Sequence, residues 1–195
     1  MTKLQAGAAF VFLCWGTVSA PIRAQEVVAE LDPASTHVDF SVGSTLHTVH
    51  GSFKVKSGAV HFDAATNKAT GEVVVDATSG DSGDKSRDKK MDHDVLETGK
   101  YPTITFRPDR VIGEVAPHGT SHVQVHGIFN IHGADHEVMI PVEVHRDGDR
   151  PSVTLRFQIP YVKWGMKNPG NFFLSVDNHV EITIEAVGRV AGGIP

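Results

Sequence analysis

The chain has 195 residues, a formal net charge of −5 at neutral pH and one cysteine, Cys14. This length suggests one domain. The acidic balance disfavours the phosphate backbone of nucleic acid and anionic membrane surfaces as partners of the molecule as a whole.

The first thirty residues differ in kind from the rest. Lys3 precedes an apolar run from Ala6 to about Val18, then small residues, with no acid until Glu26. That is the layout of a secretory signal peptide, and the run is too short to span a membrane. Cleavage is expected after Ala24, because a cut after Ala20 would leave Pro21 behind it. The cut removes Lys3, Arg23 and no acid, so the net charge moves from −5 to −7. It also removes Cys14, which excludes disulfides, thiolate metal sites and cysteine nucleophiles from residues 25–195. Leu13 argues against an acylated lipoprotein cysteine. Residues 1–24 are therefore read as the signal and 25–195 as one exported, soluble domain.

From there the pattern has period two. Val38, Phe40 and Val42 alternate with polar residues. So do Phe53 and Val55, Val60 and Phe62, Val73 and Val75, then Ile104 and Phe106. The series resumes with Val123 to Ile131, Val138 to Val144, Val153 to Ile159 and Val180 to Ala186. These segments make roughly nine half-apolar strands, separated by turn signals such as "KSGA", "HGAD", "RDGDRP" and "NPGN". Alternation with one wet face predicts an all-β antiparallel sheet, closed as a barrel or folded as a sandwich. The rhythm breaks at "TSGDSGDKSRDKKMDHDVLETGKYP" (78–102). Asp84 or Ser86 is placed to cap a short helix through Met91, with a second turn near Val95, and Gly99 and Pro102 end any helix. One or two short helices are thus inserted between strands.

Histidines crowd the stretch 118–145. On a strand over 121–132, Val123, Val125, Phe129 and Ile131 share the inner face, leaving His122, His126 and His132 outside. Residues four apart on a strand sit about 13 Å from each other, too far to share one zinc ion. A site across the hairpin, with His132, His136 and Asp135, would be open and weak. The inner face is aromatic: Phe40, Phe53, Phe62, Phe106, Phe129 and Phe157 fall on inward parity, and Trp164, Met166, Phe172 and Phe173 cluster in "YVKWGMKNPGNFFL". A closed barrel of about eight strands is either filled by such side chains or holds a ligand among them.

"LDPASTHVDFSV" (31–42), "GSFKVKSGAVHFD" (51–63), "GEVVVDATSGDSGDKSRDKKMDHDVLETGKYPTITFRPDRV" (71–111) and "VHGIFNIHGADHEVMIPV" (125–142) together resemble the YceI-like, polyisoprenoid-binding family. "RDKKM" followed by "YPTITF" is the most specific part, and the resemblance covers about residues 30 to 187. It implies an extended, lipocalin-like antiparallel β-barrel, many of whose relatives are exported to the bacterial periplasm. It also implies an elongated apolar channel for a long isoprenoid such as a polyprenyl phosphate or a quinone tail. Asp92, His93 and Asp94 stand where relatives are more apolar, which makes the channel mouth more polar.

The expected function is non-catalytic binding or carriage of such an amphiphile, with no cofactor beyond the bound lipid. The expected lining is Phe40, Phe53, Phe106, Phe129, Phe157, Trp164, Met166 and Phe172, with Met91 and Tyr101 from the helical insertion. Arg87, with Lys89 and Lys90 beside it, is placed for an anionic head. An isoprenoid tail makes no hydrogen bonds, so its affinity rests on apolar area, ~3–4 kcal/mol gross per five-carbon unit. No nucleic acid and no stable membrane insertion are expected, and a closed barrel leaves association into a homodimer open. No G-x-S-x-G or comparable arrangement singles out an enzyme. The alternative is an exported metal-binding or interaction protein that uses the surface histidines.

Overall fold

The computed structural model describes residues 26–147 and 150–191. The expected signal, its cleavage site and Cys14 lie outside them. Nine strands run in chain order: β1 (Glu26–Leu31), β2 (His37–Val42), β3 (Val49–Asp63), β4 (Lys68–Asp81), β5 (Thr103–Ile112), β6 (Gly119–Ile131), β7 (Ala134–Arg146), β8 (Ser152–Ile159) and β9 (Val180–Ala191). All pairings are antiparallel, in the order β3-β2-β9-β8-β7-β6-β5-β4 and back to β3, so the sheet closes.

Nine strands make eight staves because β1 and β2 share one. Both lie between β3 and β9, β1 at Ala59–Asp63 of β3 and β2 at Val49–Phe53. The break between them is chemical. Pro33 has no N–H to give a ladder. Asp32 accepts from the Ala34 amide at 3.0 Å and the Ser35 hydroxyl at 3.0 Å, winding Pro33–Ser35 into a 3-10 turn.

The expected turn at "KSGA" is a bulge. Inward parity passes from Phe53 and Val55 to Val60 and Phe62, an odd-to-even switch that requires one extra residue. The register supplies it: Val55 pairs with Val75, but Ser57 pairs with Val74. The two segments read from the sequence are therefore one 15-residue strand. Pro108 stands at another register shift, between β5 and β6.

The helical insertion is a single unit. Asp84 caps α1 (Lys85–Lys90) by accepting from the Ser86 and Arg87 amides, both at 2.9 Å, and the chain continues as a π-helical stretch, Met91–Leu96. Glu97, at φ 48°, ends it two residues before Gly99. At the same end, β6 and β7 are joined by the two-residue turn His132–Gly133, whose φ values of 53° and 73° are the positive pair such a hairpin needs.

The barrel interior divides along its length. At one end Ala69, Val111, Val123, Ile140 and Val142 form a packed plug, joined by Phe62 and Leu155. Phe106 straddles the two halves. A Cβ on Gly127 would clash with the Arg107 carbonyl oxygen and stand 2.9 Å from the Phe106 ring, so glycine at that inward position is a packing requirement. The other half surrounds an open space. No helix among the described residues is long and apolar enough to cross a membrane.

Candidate functional site

An apolar cavity of about 500 Å³ occupies the second half and opens at the end that carries the helical insertion. That size falls within the roughly 300–1,000 Å³ of small-molecule sites. β2 contributes Val38 and Phe40, β3 Val49 and Phe53, β4 Val75, and β5 Ile104. Phe129 and Ile131 of β6 face Phe157 and Ile159 of β8, and β9 adds Val180, Ile182 and Ile184. Met91, Val95 and Leu96 close the wall from the helical unit, while Asp92, His93 and Asp94 of the same unit lie off it. The more polar mouth expected from those three residues is therefore not built by them. The π-helical spacing turns 91, 95 and 96 to one side and the acids to the other. The Asp92 carboxylate instead accepts from the Thr98 hydroxyl.

Apart from Tyr161, the polar groups of the lining gather at the rim, where Ser44, His47, Asp84, Ser86, Arg87 and Lys90 line the opening. Two of these cations also brace the rim. Arg87 donates through Nε to the Ser82 hydroxyl and through Nη2 to the Ser82 carbonyl, both at 2.8 Å. Lys90 donates from Nζ to the Pro169 carbonyl at 2.7 Å, tying the helix to the β8–β9 connection. The Ser82 hydroxyl and amide, both donating to Asp88, hold that carboxyl below its usual range. Below the rim the one polar side chain on the wall is Tyr161, whose hydroxyl donates to the Asp177 carbonyl at 2.7 Å. Burial, with Asp177 adding to it, pushes the Tyr161 phenol up to about 12, so it stays neutral.

Of the residues expected to line a channel, Phe40, Phe53, Met91, Phe129, Phe157, Met166 and Arg87 stand on this wall. Four do not. Phe106 is drawn into the boundary with the plug by the space at Gly127. Tyr101 lies outside, against the β6–β7 turn, with its ring 4.7 Å from that of His132. Phe172 is 94% exposed on the β8–β9 connection, where strand parity does not operate. Trp164 sits behind the wall, its ring 6.0 Å from that of Phe129.

Trp164 has a specific task there. β7 and β8 pair only over Val142–His145 and Ser152–Leu155. The ladder stops beside Pro141, which has no N–H to continue it. In the stretch left without a β8 partner, Trp164 stacks on His136 at 4.0 Å and 7°. This pair replaces the missing ladder, and β7 contributes nothing to the cavity wall. His136 thus differs from the outer-face histidines His122, His126 and His132 and does not join His132 in a site across the hairpin. It continues the inward series Val138, Ile140 and Val142, its Nε2 is buried without a partner, and burial pushes its pKa down, against a smaller upward pull from Asp135. The parity of the β7 segment already carried that information.

Four other histidines of this stretch face outward and are engaged, His122 by Glu143 at 3.7 Å. His126 is held between Asp109 at 2.7 Å and Glu137 at 2.8 Å, His132 meets Glu97 at 2.8 Å, and His145 meets the Thr120 hydroxyl at 3.0 Å. Among the described residues no three His, Asp or Glu side chains are gathered to hold a metal ion. Most of the wall is aliphatic. Val38, Ile131, Ile159 and Ile182 were readable from the same parity.

A family model described as the YceI-like domain matches residues 30–188, and the chain belongs to that family. No curated protein sequence matches it. Among solved structures, BcnA of Burkholderia cenocepacia superposes with a TM-score of 0.66 at 20% identity, over 80% of this chain and 98% of that one. A polyisoprenoid binding domain from Saccharophagus degradans, described as implicated in plant cell wall breakdown, gives 0.62 at 16% identity, over 84% and 98%. The YceI protein of Campylobacter jejuni gives 0.55 at 17%, over 71% and 81%. At these identities the likenesses establish the shared barrel.

Proposed function

We propose that this YceI-like protein is a non-catalytic carrier that holds the apolar tail of a long isoprenoid or similar amphiphile inside the barrel. The observation that carries the reading is the division of the cavity. Its wall is aliphatic, aromatic and thioether, its one buried hydroxyl is already spent on a backbone carbonyl, and its polar groups stand at the rim. Such a wall offers area and shape but no hydrogen bonds, which suits a hydrocarbon chain. Met91 and Met166 add side chains that adapt to a branched tail. Arg87 and Lys90 at the rim would face an anionic or polar head left outside, as in a polyprenyl phosphate. The polyisoprenoid binding domain among the structural relatives supports this tail class. Residues 1–24 would export the protein, with the periplasm as its compartment.

The test is extraction of the purified protein with organic solvent and mass spectrometry of the extract. A stoichiometric species losing successive isoprene units is expected. A clean extract, together with no uptake of polyprenyl phosphates or quinones by the folded protein, would overturn the reading.

A further inference from the structure

The three most exposed large hydrophobic side chains among the described residues stand together at the cavity mouth: Phe172 at 94%, Phe173 at 89% and Leu46 at 77%. Apolar residues scattered singly over a surface need no explanation, but a concentration at one opening does. These residues are presented by built structure. Asn171 accepts from the Phe173 amide at 2.9 Å and the Leu174 amide at 3.0 Å, and its own amide donates to the Leu174 carbonyl at 2.9 Å. The two phenylalanines therefore occupy the tip of a stapled turn, ring edge to ring face at 5.3 Å. Leu46 projects from the neighbouring β2–β3 connection, which is joined to the first by the Ser44–Val176 bridge and by the Thr45 amide donating to the Ser175 carbonyl at 3.0 Å. Leu46 and Leu174 also line the cavity, so the exposed apolar surface is continuous with its interior.

Charge is distributed to match. The connections at this end, residues 43–48, 82–102 and 160–179, hold seven Lys and Arg against six Asp and Glu, while the rest of 26–195 holds nine against seventeen. The acidity that disfavours a lipid surface therefore belongs to the barrel body and not to its mouth.

We infer that the mouth docks on a lipid bilayer, with Phe172, Phe173 and Leu46 entering the interface so that the cavity opens directly onto the membrane. Aromatic side chains at the tip of a rigid turn suit the headgroup boundary, and a near-neutral face with Lys90 and Lys167 beside it is not repelled there. Such docking is reversible and needs no membrane-spanning segment. A second copy of the chain is the weaker occupant, because three side chains on two loops fall short of the ~800 Å² per partner of a stable interface. The inference rests on the carrier reading, since a docked mouth matters only if the cavity takes a lipid tail.

The experiment is flotation of the purified protein with phosphatidylcholine vesicles, with and without added phosphatidylglycerol, at low and high salt. Uptake of a fluorescent isoprenoid in vesicle-free solution is measured in parallel. Wild type should float with both vesicles and persist in high salt. F172S/F173S should lower the vesicle-bound fraction ~tenfold or more, with unchanged melting temperature and unchanged uptake of the probe in solution. Wild type that takes up the probe yet never floats would overturn docking and leave the carrier reading standing. Loss of probe uptake by wild type would strike the carrier reading instead. A dimer in size-exclusion chromatography that F172S/F173S dissolves would assign this face to a second copy and overturn the membrane.

Discussion

Replacing Trp164 by alanine removes the ring that fills the gap between β7 and β8, and its cost can be worked from the structure. Truncating a fully buried Trp costs ~3–5 kcal/mol, including ~0.5–1.5 for an aromatic stack. Trp164 is half-buried, packing on Phe129 and His136, which brings the expectation to about 2–3 kcal/mol. At ~2–4 °C per kcal/mol for a domain of this size, the melting temperature should fall by ~5–10 °C. Trp164→Phe keeps a ring on both neighbours and should lose less than half of that. The variant also exposes His136, whose burial beneath the indole holds its pKa below the ordinary histidine value. With a depressed folded pKa, the unfolded wild-type chain takes up this proton first as pH falls. Wild-type stability therefore declines as pH drops through about 6.5 and below. Trp164→Ala relieves that penalty, so the deficit relative to wild type should be smaller at pH 5 than at pH 7.5. Circular-dichroism melts at both pH values, with an NMR titration of His136, measure both effects. A melting temperature within about 1 °C of wild type, or a His136 pKa that does not rise in the variant, would refute the stacked-wall account.

Ile182→Trp places a large ring into the cavity from β9, where there is space to receive it. Probe uptake should fall ~tenfold or more, while the melting temperature moves by only a few degrees, since overpacking costs ~1–3 kcal/mol even in a filled core. Asp84→Ala removes the carboxylate that accepts two amides at the start of α1. Loss of this cap should cost about 1 kcal/mol and lower the melting temperature by ~2–4 °C. His126 has the opposite pH sign to His136. Asp109 first, and then Glu137, raise its pKa, so its contribution is present below about 6.5 and is lost as pH rises through the folded value. The difference in melting temperature between wild type and D109N/E137Q should therefore be larger at pH 5.5 than at pH 8.

Period-two alternation with one wet face was enough to predict an all-β antiparallel architecture, and the choice of a barrel over a sandwich came from the family resemblance. The alternation is local, and each strand must bury one side whatever its neighbours are. The cap could be narrowed to Asp84 or Ser86 for the same reason, because capping is a contact between residues two and three apart, and the structure selects Asp84. The parity switch between Val55 and Val60 was visible too, but a turn and a bulge leave the same mark in sequence. Only the partner strand, pairing Val74 after Val75, distinguishes them.

The interior depended on tertiary structure. Phe62 and Phe40 have the same inward parity, yet one packs the plug and the other lines the cavity, because depth along the barrel is set by strand stagger and not by alternation. Phe172 and Trp164 are eight residues apart in one apolar-looking segment. One ended at the tip of a turn in water and the other behind the wall, since a connection without period has no inside of its own. His136 shows the converse. Its parity pointed inward, but what it does there depended on Pro141 ending a ladder and on a tryptophan 28 positions along the chain filling the gap. Which faces are apolar is written residue by residue along the chain. Which of those faces meet, and where space is left between them, follows only from how the staves close around one another.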